Sequence, residues 1–223
     1  MLQKMSLRAP CILKLPGELY GYIGSFLDEG VNNLLCSSSV LYSLYGHIYC
    51  LRKLTLASSN LFLKDPCARD RILSMCKHPS MLLHLNLHDT YVSDVSALGC
   101  VHTLTLSGCH GVVDVSALGG VHTLRLLSCK SVVDLSALGG VHALDMSGCK
   151  SVVDVSALGC VHTLDMSGCK SVVDVSALGG VHALDMSCCE DVVDVSALGG
   201  VHTLTLACCG GVVDVSALGG VHT

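Results

Sequence analysis

The chain has 223 residues, a formal net charge of −5 and 51% apolar residues, with aromatics at only 4% and no tryptophan. Sparse, slightly acidic charge excludes broad nucleic-acid binding, and so few aromatics point to a core of small branched side chains stacked in layers. Lys4, Arg8 and Lys14 interrupt the first apolar residues, so no secretory signal is read there. The 15 cysteines are therefore expected to be reduced and intracellular, in the cytoplasm or nucleus.

Residues 1–14 read as a leader. Residues 15–50 are expected to form a small helical unit. Pro16 suits a first helical position because its missing N–H would be unpaired there. Glu18 lies where the helix dipole favours an acid. Leu19, Ile23, Phe26 and Leu27 then fall on one helical face. Asp28-Glu29-Gly30 ends the helix, and two shorter ones succeed it, over about 31–37 and 39–45, with Leu34, Leu35, Leu41 and Leu44 as their apolar residues. The uncharged run Val31–Leu51 contains Asn32, Asn33, Gly46 and His47, which argues against a membrane span.

The segment Leu15-Pro16-x-Glu18-Leu19, with Ile23, Phe26-Leu27, Leu34-Leu35-Cys36 and Ser38, resembles an F-box. It departs from that family at Gly30, where an acid is usual, and has no closing tryptophan. The resemblance implies docking on a Skp-type adaptor of a cullin ubiquitin ligase. The implied contacts are Leu15, Pro16, Leu19, Ile23, Phe26, Leu27, Leu34 and Leu35. A helical cap for the repeats, with no partner of its own, is the alternative.

From residue 51 onward the chain reads as repeats. Leu51, Leu54 and Leu56 followed by Asn60 give the spacing of a leucine-rich repeat, and Leu82, Leu85 and Leu87 return it. Between them Ala68–Cys76 is expected to be helical, with Ile72, Leu73 and Cys76 apolar. The unit Leu82–Cys100 is one residue shorter than the later copies. From Val101 the period locks at 20, with copies opening at Val121, Val141, Val161, Val181 and Val201 and a stub at Val221–Thr223. A fixed period of this length is a solenoid signature. The fold class is therefore α/β repeat: an F-box-like unit followed by a leucine-rich-repeat solenoid with a curved parallel sheet, irregular over 51–100, regular from 101 and cut short in its last repeat.

In the copy opening at Val141, the residues Val141, Leu144, Met146, Cys149, Val152, Val155 and Leu158 are expected to point inward, with a strand over Ala143–Ser147. Asp94 and its six successors to Asp214 are expected to N-cap a short 3₁₀ turn rather than ligate calcium, since each turn supplies one acid. The Gly119-Gly120 pair and its successors suit a turn that needs positive φ. The column Cys109 to Cys209 reads as buried filler, because zinc would want four converging ligands. His102 and its successors to His222 should stack and titrate below the free value of about 6.5. They read either as a pH- or metal-sensitive face or as a neutral stack bonded to backbone carbonyls. The wording LDMSGCKSVVDVSAL resembles the cysteine-containing leucine-rich repeats found behind F-boxes, and such expansions also resemble proteins of large DNA viruses, whose adaptor would be the host cell's.

The outward strand positions Thr105, Arg125, Asp145, Asp165, Asp185 and Thr205 are the candidate partner-binding residues, on the concave face. They are expected to receive a basic segment of an unknown protein target; a merely solvated face is the alternative. Ser, His and Asp recur at fixed offsets in every copy, so no catalytic constellation, cofactor or metal site is assigned. The expected function is substrate recognition for a Skp–cullin ligase. The alternative is a non-enzymatic interaction or structural scaffold without a ubiquitin link. Neither nucleic acid nor membrane is expected as a partner. Leu204, Leu206 and Val215 on the last full repeat suggest head-to-tail self-association, a covering partner or a fragment.

Overall fold

A computed structural model of the chain describes residues 53–56, 70, 73 and 82–221. The expected leader (1–14) and helical unit (15–50), with Leu15, Pro16, Leu19, Ile23, Phe26, Leu27, Leu34 and Leu35, lie outside the described residues, as does His222.

Period-20 repetition produces one coil turn per copy. Among the described residues eight short strands, β1 (Lys53–Leu56), β2 (Leu82–Asn86), β3 (Thr103–Thr105), β4 (Thr123–Arg125), β5 (Ala143–Asp145), β6 (Thr163–Asp165), β7 (Ala183–Asp185) and β8 (Thr203–Thr205), form one parallel sheet in chain order. Pairing continues past the assigned strand ends. Met146 N–H donates to the Asp165 carbonyl at 2.8 Å and Gly148 N–H to the Ser167 carbonyl at 2.8 Å. The expected strand over Ala143–Ser147 is thus shorter as a strand but right as a paired segment. The β1–β2 register differs from the one the leucine spacing implies. Leu54 pairs with Leu83 and Leu56 with Leu85, whereas the spacing aligns Leu54 with Leu85 and Leu56 with Leu87. An even shift preserves a strand's alternation, so the leucines alone could not distinguish the two. Asp70 and Leu73, the two described residues of the segment expected to be helical, are both helical.

All seven inward positions of the copy at Val141 are buried, from Val141 to Leu158. Leu85, Leu104, Leu124, Leu144, Leu164 and Leu184 form one interior row in direct register. Burial of each such side chain contributes roughly 1.5–3 kcal/mol. That contribution stabilises a turn only because its neighbours supply the other walls.

The cysteine column is interior. Cys149 Sγ donates to the Leu126 carbonyl at 3.1 Å and Cys169 Sγ to the Met146 carbonyl at 3.2 Å, and every thiol from Cys109 to Cys209 repeats this bond to the turn before. Burial pushes the Cys149 and Cys169 thiols up to about 12. They are protonated packing groups, as expected. Thr90 begins the column: its hydroxyl bonds the Leu87 carbonyl at 2.8 Å and lies 3.5 Å from Cys109 Sγ. Thr90 keeps the spacing of the column, three residues after Leu87 as Cys109 is after Leu106, and only its hydroxyl in place of a thiol hides the correspondence.

Opposite the sheet lie the 3₁₀ turns Ser116–Gly120, Ser136–Gly140, Ser156–Cys160, Ser176–Gly180, Ser196–Gly200 and Ser216–Leu218. The aspartate before each turn accepts the backbone N–H of the serine two residues on, at 2.8 Å for Asp114–Ser116 and 2.8 Å for Asp154–Ser156, and the bond recurs from Asp94 to Asp214. The residue directly before the turn is Val115 or its equivalent. The bond is the expected one, made from one position earlier as an Asx turn.

The glycine expectation is corrected. Gly119 and Gly120 do not have positive φ; Gly119 is small because turns touch, whereas the Gly120 position carries Cys160 in another copy. A Cβ on Gly119 would lie 2.3 Å from the Ala137 carbonyl oxygen, and one on Gly120 would lie 2.8 Å from that of Gly99. Positive φ occurs instead at the position before the buried thiol: Asp89, Gly108, Ser128, Gly148, Gly168, Cys188 and Cys208.

Candidate functional site on the sheet face

Strand alternation turns the leucine row inward and leaves its flanking positions toward solvent. Thr105, Arg125, Asp145, Asp165, Asp185 and Thr205 pair in succession across β3 to β8, so all six candidate residues stand in one row. Each is partly or fully exposed. Asn86 on β2 extends the row by one place.

The three aspartates also have local partners that the sequence reading missed. Ser147 donates its N–H at 3.1 Å and its hydroxyl at 2.6 Å to Asp145 Oδ1. Ser187 does the same to Asp185, at 2.9 and 2.6 Å. Ser167 N–H donates to Asp165 Oδ1 at 2.9 Å. The Asp-x-Ser spelling is the one that marks the 3₁₀ turns, and it could have been read in the same way. These bonds fix the carboxylates at the strand ends, ~4.8 Å from row to row. Among the described residues the ion pairs are His88–Asp89 and Lys170–Glu190, and neither includes a member of the row.

Beside this row runs a stack of imidazoles. Successive rings from His102 to His202 have centroids 4.5 to 4.7 Å apart, and His84 extends the stack at 5.5 Å. Nδ1 of His102, His122, His162 and His202 lies 3.2 to 3.3 Å from the hydroxyl of the threonine that follows. That hydroxyl replaces the backbone-carbonyl partner expected for a neutral stack. Desolvation first, and the neighbouring ring second, hold His102 and His162 below the usual histidine range.

On the turn side, serine hydrogen bonds hold the aspartates below the usual carboxylate range. The hydroxyl contributes most at Asp114 and Asp174, and the backbone N–H at Asp134, Asp154, Asp194 and Asp214. In both sets the folded pKa lies below the unfolded one, so the unfolded chain binds more protons and acid weakens the fold. Stability should be full above about pH 6.5 and decline as pH falls through the folded values of His102 and His162. It should then hold until about pH 3.9 and decline again as the turn aspartates protonate. Urea midpoints measured from pH 8 to pH 2 should show these two descents.

Among the described residues no group of three or more His, Cys, Asp or Glu is placed to hold a metal ion, and no helix is long and apolar enough to cross a membrane. On the turn side a ridge of half-exposed valines, Val113, Val133, Val153, Val173 and Val193, runs beside the aspartate row. The ridge is the same in each 20-residue copy from Val101 and marks no place along them.

No family model matches the sequence, and no curated protein matches it significantly. Solved structures do. Internalin C2 from Listeria monocytogenes superposes with a TM-score of 0.50 at 21% identity, over 66% of this chain and 71% of that one. The fold is a leucine-rich-repeat solenoid. Internalin InlF from Listeria monocytogenes is similar at 18% identity and a TM-score of 0.39, over 66% of this chain and 53% of that one. TLR13, solved in complex with ssRNA13, is similar at 15% identity and a TM-score of 0.42, over 70% of this chain and 32% of that one. The chain thus spans about half of the InlF chain and a third of the TLR13 chain. At these identities the likeness extends to the leucine-rich-repeat fold and no further.

Proposed function

We propose that the protein is a non-enzymatic leucine-rich-repeat scaffold whose open sheet face receives a basic segment of a protein partner. One observation carries this reading. Asp145, Asp165 and Asp185 stand in register on a partly exposed row bounded by Arg125 on one side and Thr205 on the other. The acidic patch therefore has ends. The turn-side aspartates do not: they recur on every coil and cannot define where a partner sits. A bounded patch of fixed carboxylates is suited to guanidinium groups, which accept planar, bidentate pairing. A ubiquitin-ligase role would rest on residues 15–50 and a Skp-type adaptor. The scaffold reading rests on the sheet face itself and is preferred.

Calorimetric titration of an arginine-rich peptide at low ionic strength tests the proposal, because screening would mask an exposed site at high salt. Asp165→Lys places a cation in the middle of the patch and should weaken binding by about tenfold or more. An unchanged dissociation constant would remove this row as the site.

A further inference from the structure

The buried cysteines from Cys109 to Cys209 share one environment, but Cys188 and Cys208 do not belong to it. They occupy the preceding position on consecutive turns, and both are exposed. Cys188 N–H donates to the Ala207 carbonyl at 2.7 Å, which puts the two turns side by side. The strand register of Asp185 with Thr205, carried onward along both chains, aligns Cys188 with Cys208. Neighbouring strands lie ~4.8 Å apart, within the ~4.4–6.8 Å Cα separation that a disulfide spans.

Both residues have φ of 60°, a conformation that disfavours any residue with a Cβ. Of the other turns, three use glycine at this position, Gly108, Gly148 and Gly168, and two carry Asp89 and Ser128. Two adjacent turns thus carry thiols where glycine would be unstrained. The remaining exposed cysteines among the described residues, Cys100 and Cys160, stand three turns apart.

We propose that Cys188 and Cys208 form a redox-modification site, a dithiol that a small disulfide of the glutathione class oxidises to a disulfide between turns. One thiolate attacks the small disulfide and releases a small thiolate, leaving a mixed disulfide. The second protein thiolate then attacks the protein sulfur of that bond and expels the other small thiolate. Two protein S–H bonds and one small S–S bond become one protein S–S bond and two small thiols, so electrons and protons balance. The Cys188 thiol is held above its ordinary value by desolvation and then by Cys208. The product clamps β7 to β8 covalently through the turns that follow them.

The test equilibrates the full-length reduced chain with oxidised glutathione near pH 8, followed by peptide mapping and thermal unfolding. The mapped product should lose about 2 Da and join the peptide holding Cys188 to the one holding Cys208. The melting temperature should rise by about 5 °C. Cys188→Gly and Cys208→Gly should each abolish both effects. Their reduced forms should melt no lower than the reduced parent, since glycine relieves the strained φ; this keeps the variants folded and the comparison valid. Glutathione adducts that persist on Cys188 and Cys208 without closing, or a bond from either cysteine to Cys189 or Cys209, would overturn the proposal.

Discussion

Replacing Leu164 with alanine is expected to lower the free energy of unfolding by about 3 kcal/mol. Leu164 is 1% exposed and lies in the middle of the interior leucine row, between Leu144 and Leu184 in register. Truncation removes its transfer energy and leaves a cavity walled by two neighbouring turns, which cannot collapse without moving the whole coil. Val173→Ala is the control. Val173 is 56% exposed on the turn side, and its truncation should change stability by no more than about 0.5 kcal/mol. Urea unfolding followed by circular dichroism separates the two. A loss below about 1 kcal/mol at Leu164 would mean that the row is not interior.

The second large effect has the opposite sign to the usual rule. Glycine to alanine in a compatible turn commonly stabilises by about 0.4–1 kcal/mol, by restricting the unfolded chain. Gly159→Ala should instead destabilise by roughly 2–3 kcal/mol. A Cβ there would meet the Ala177 carbonyl oxygen at 2.4 Å, a backbone atom that cannot rotate away. The same approach recurs at Gly139 and Gly179, so relaxing it at one turn disturbs the next. Gly210 is the internal contrast: a Cβ there meets nothing within 4 Å, and Gly210→Ala should be neutral or slightly stabilising. Thermal melts of both variants should move in different directions or by clearly different amounts.

These two sites also show where the sequence was legible. Leu164 was legible because burial repeats with the same period as the sequence, and six copies of one pattern leave little freedom in which faces point inward. The role of Gly159 was not. Positive φ and close backbone approach both select glycine, and only coordinates distinguish them. The true positive-φ column was hidden by its composition, since Gly108, Ser128, Gly148, Gly168, Cys188 and Cys208 share no common chemistry. Thr90, the first member of the thiol column, was concealed by its hydroxyl, although its spacing from Leu87 is that of Cys109 from Leu106. Of the candidate site, the row from Thr105 to Thr205 followed directly from the period. Its anchoring did not: Ser147 and Ser187 hold Asp145 and Asp185 through hydroxyl bonds. The same Asp-x-Ser spelling makes the Asx bonds before the turns, but on a strand the alternation of faces draws attention away from a contact between residues two apart.

The presence of two aspartate rows in one molecule makes the binding proposal directly measurable. Carbodiimide labelling of carboxylates, with and without the arginine-rich peptide and read by mass spectrometry, compares Asp145, Asp165 and Asp185 with Asp134, Asp154 and Asp174 in the same sample. The sheet-face account predicts that the peptide protects the first three and leaves the turn-side three at their free labelling rates. Protection of the turn-side row, or equal protection of both, would contradict it.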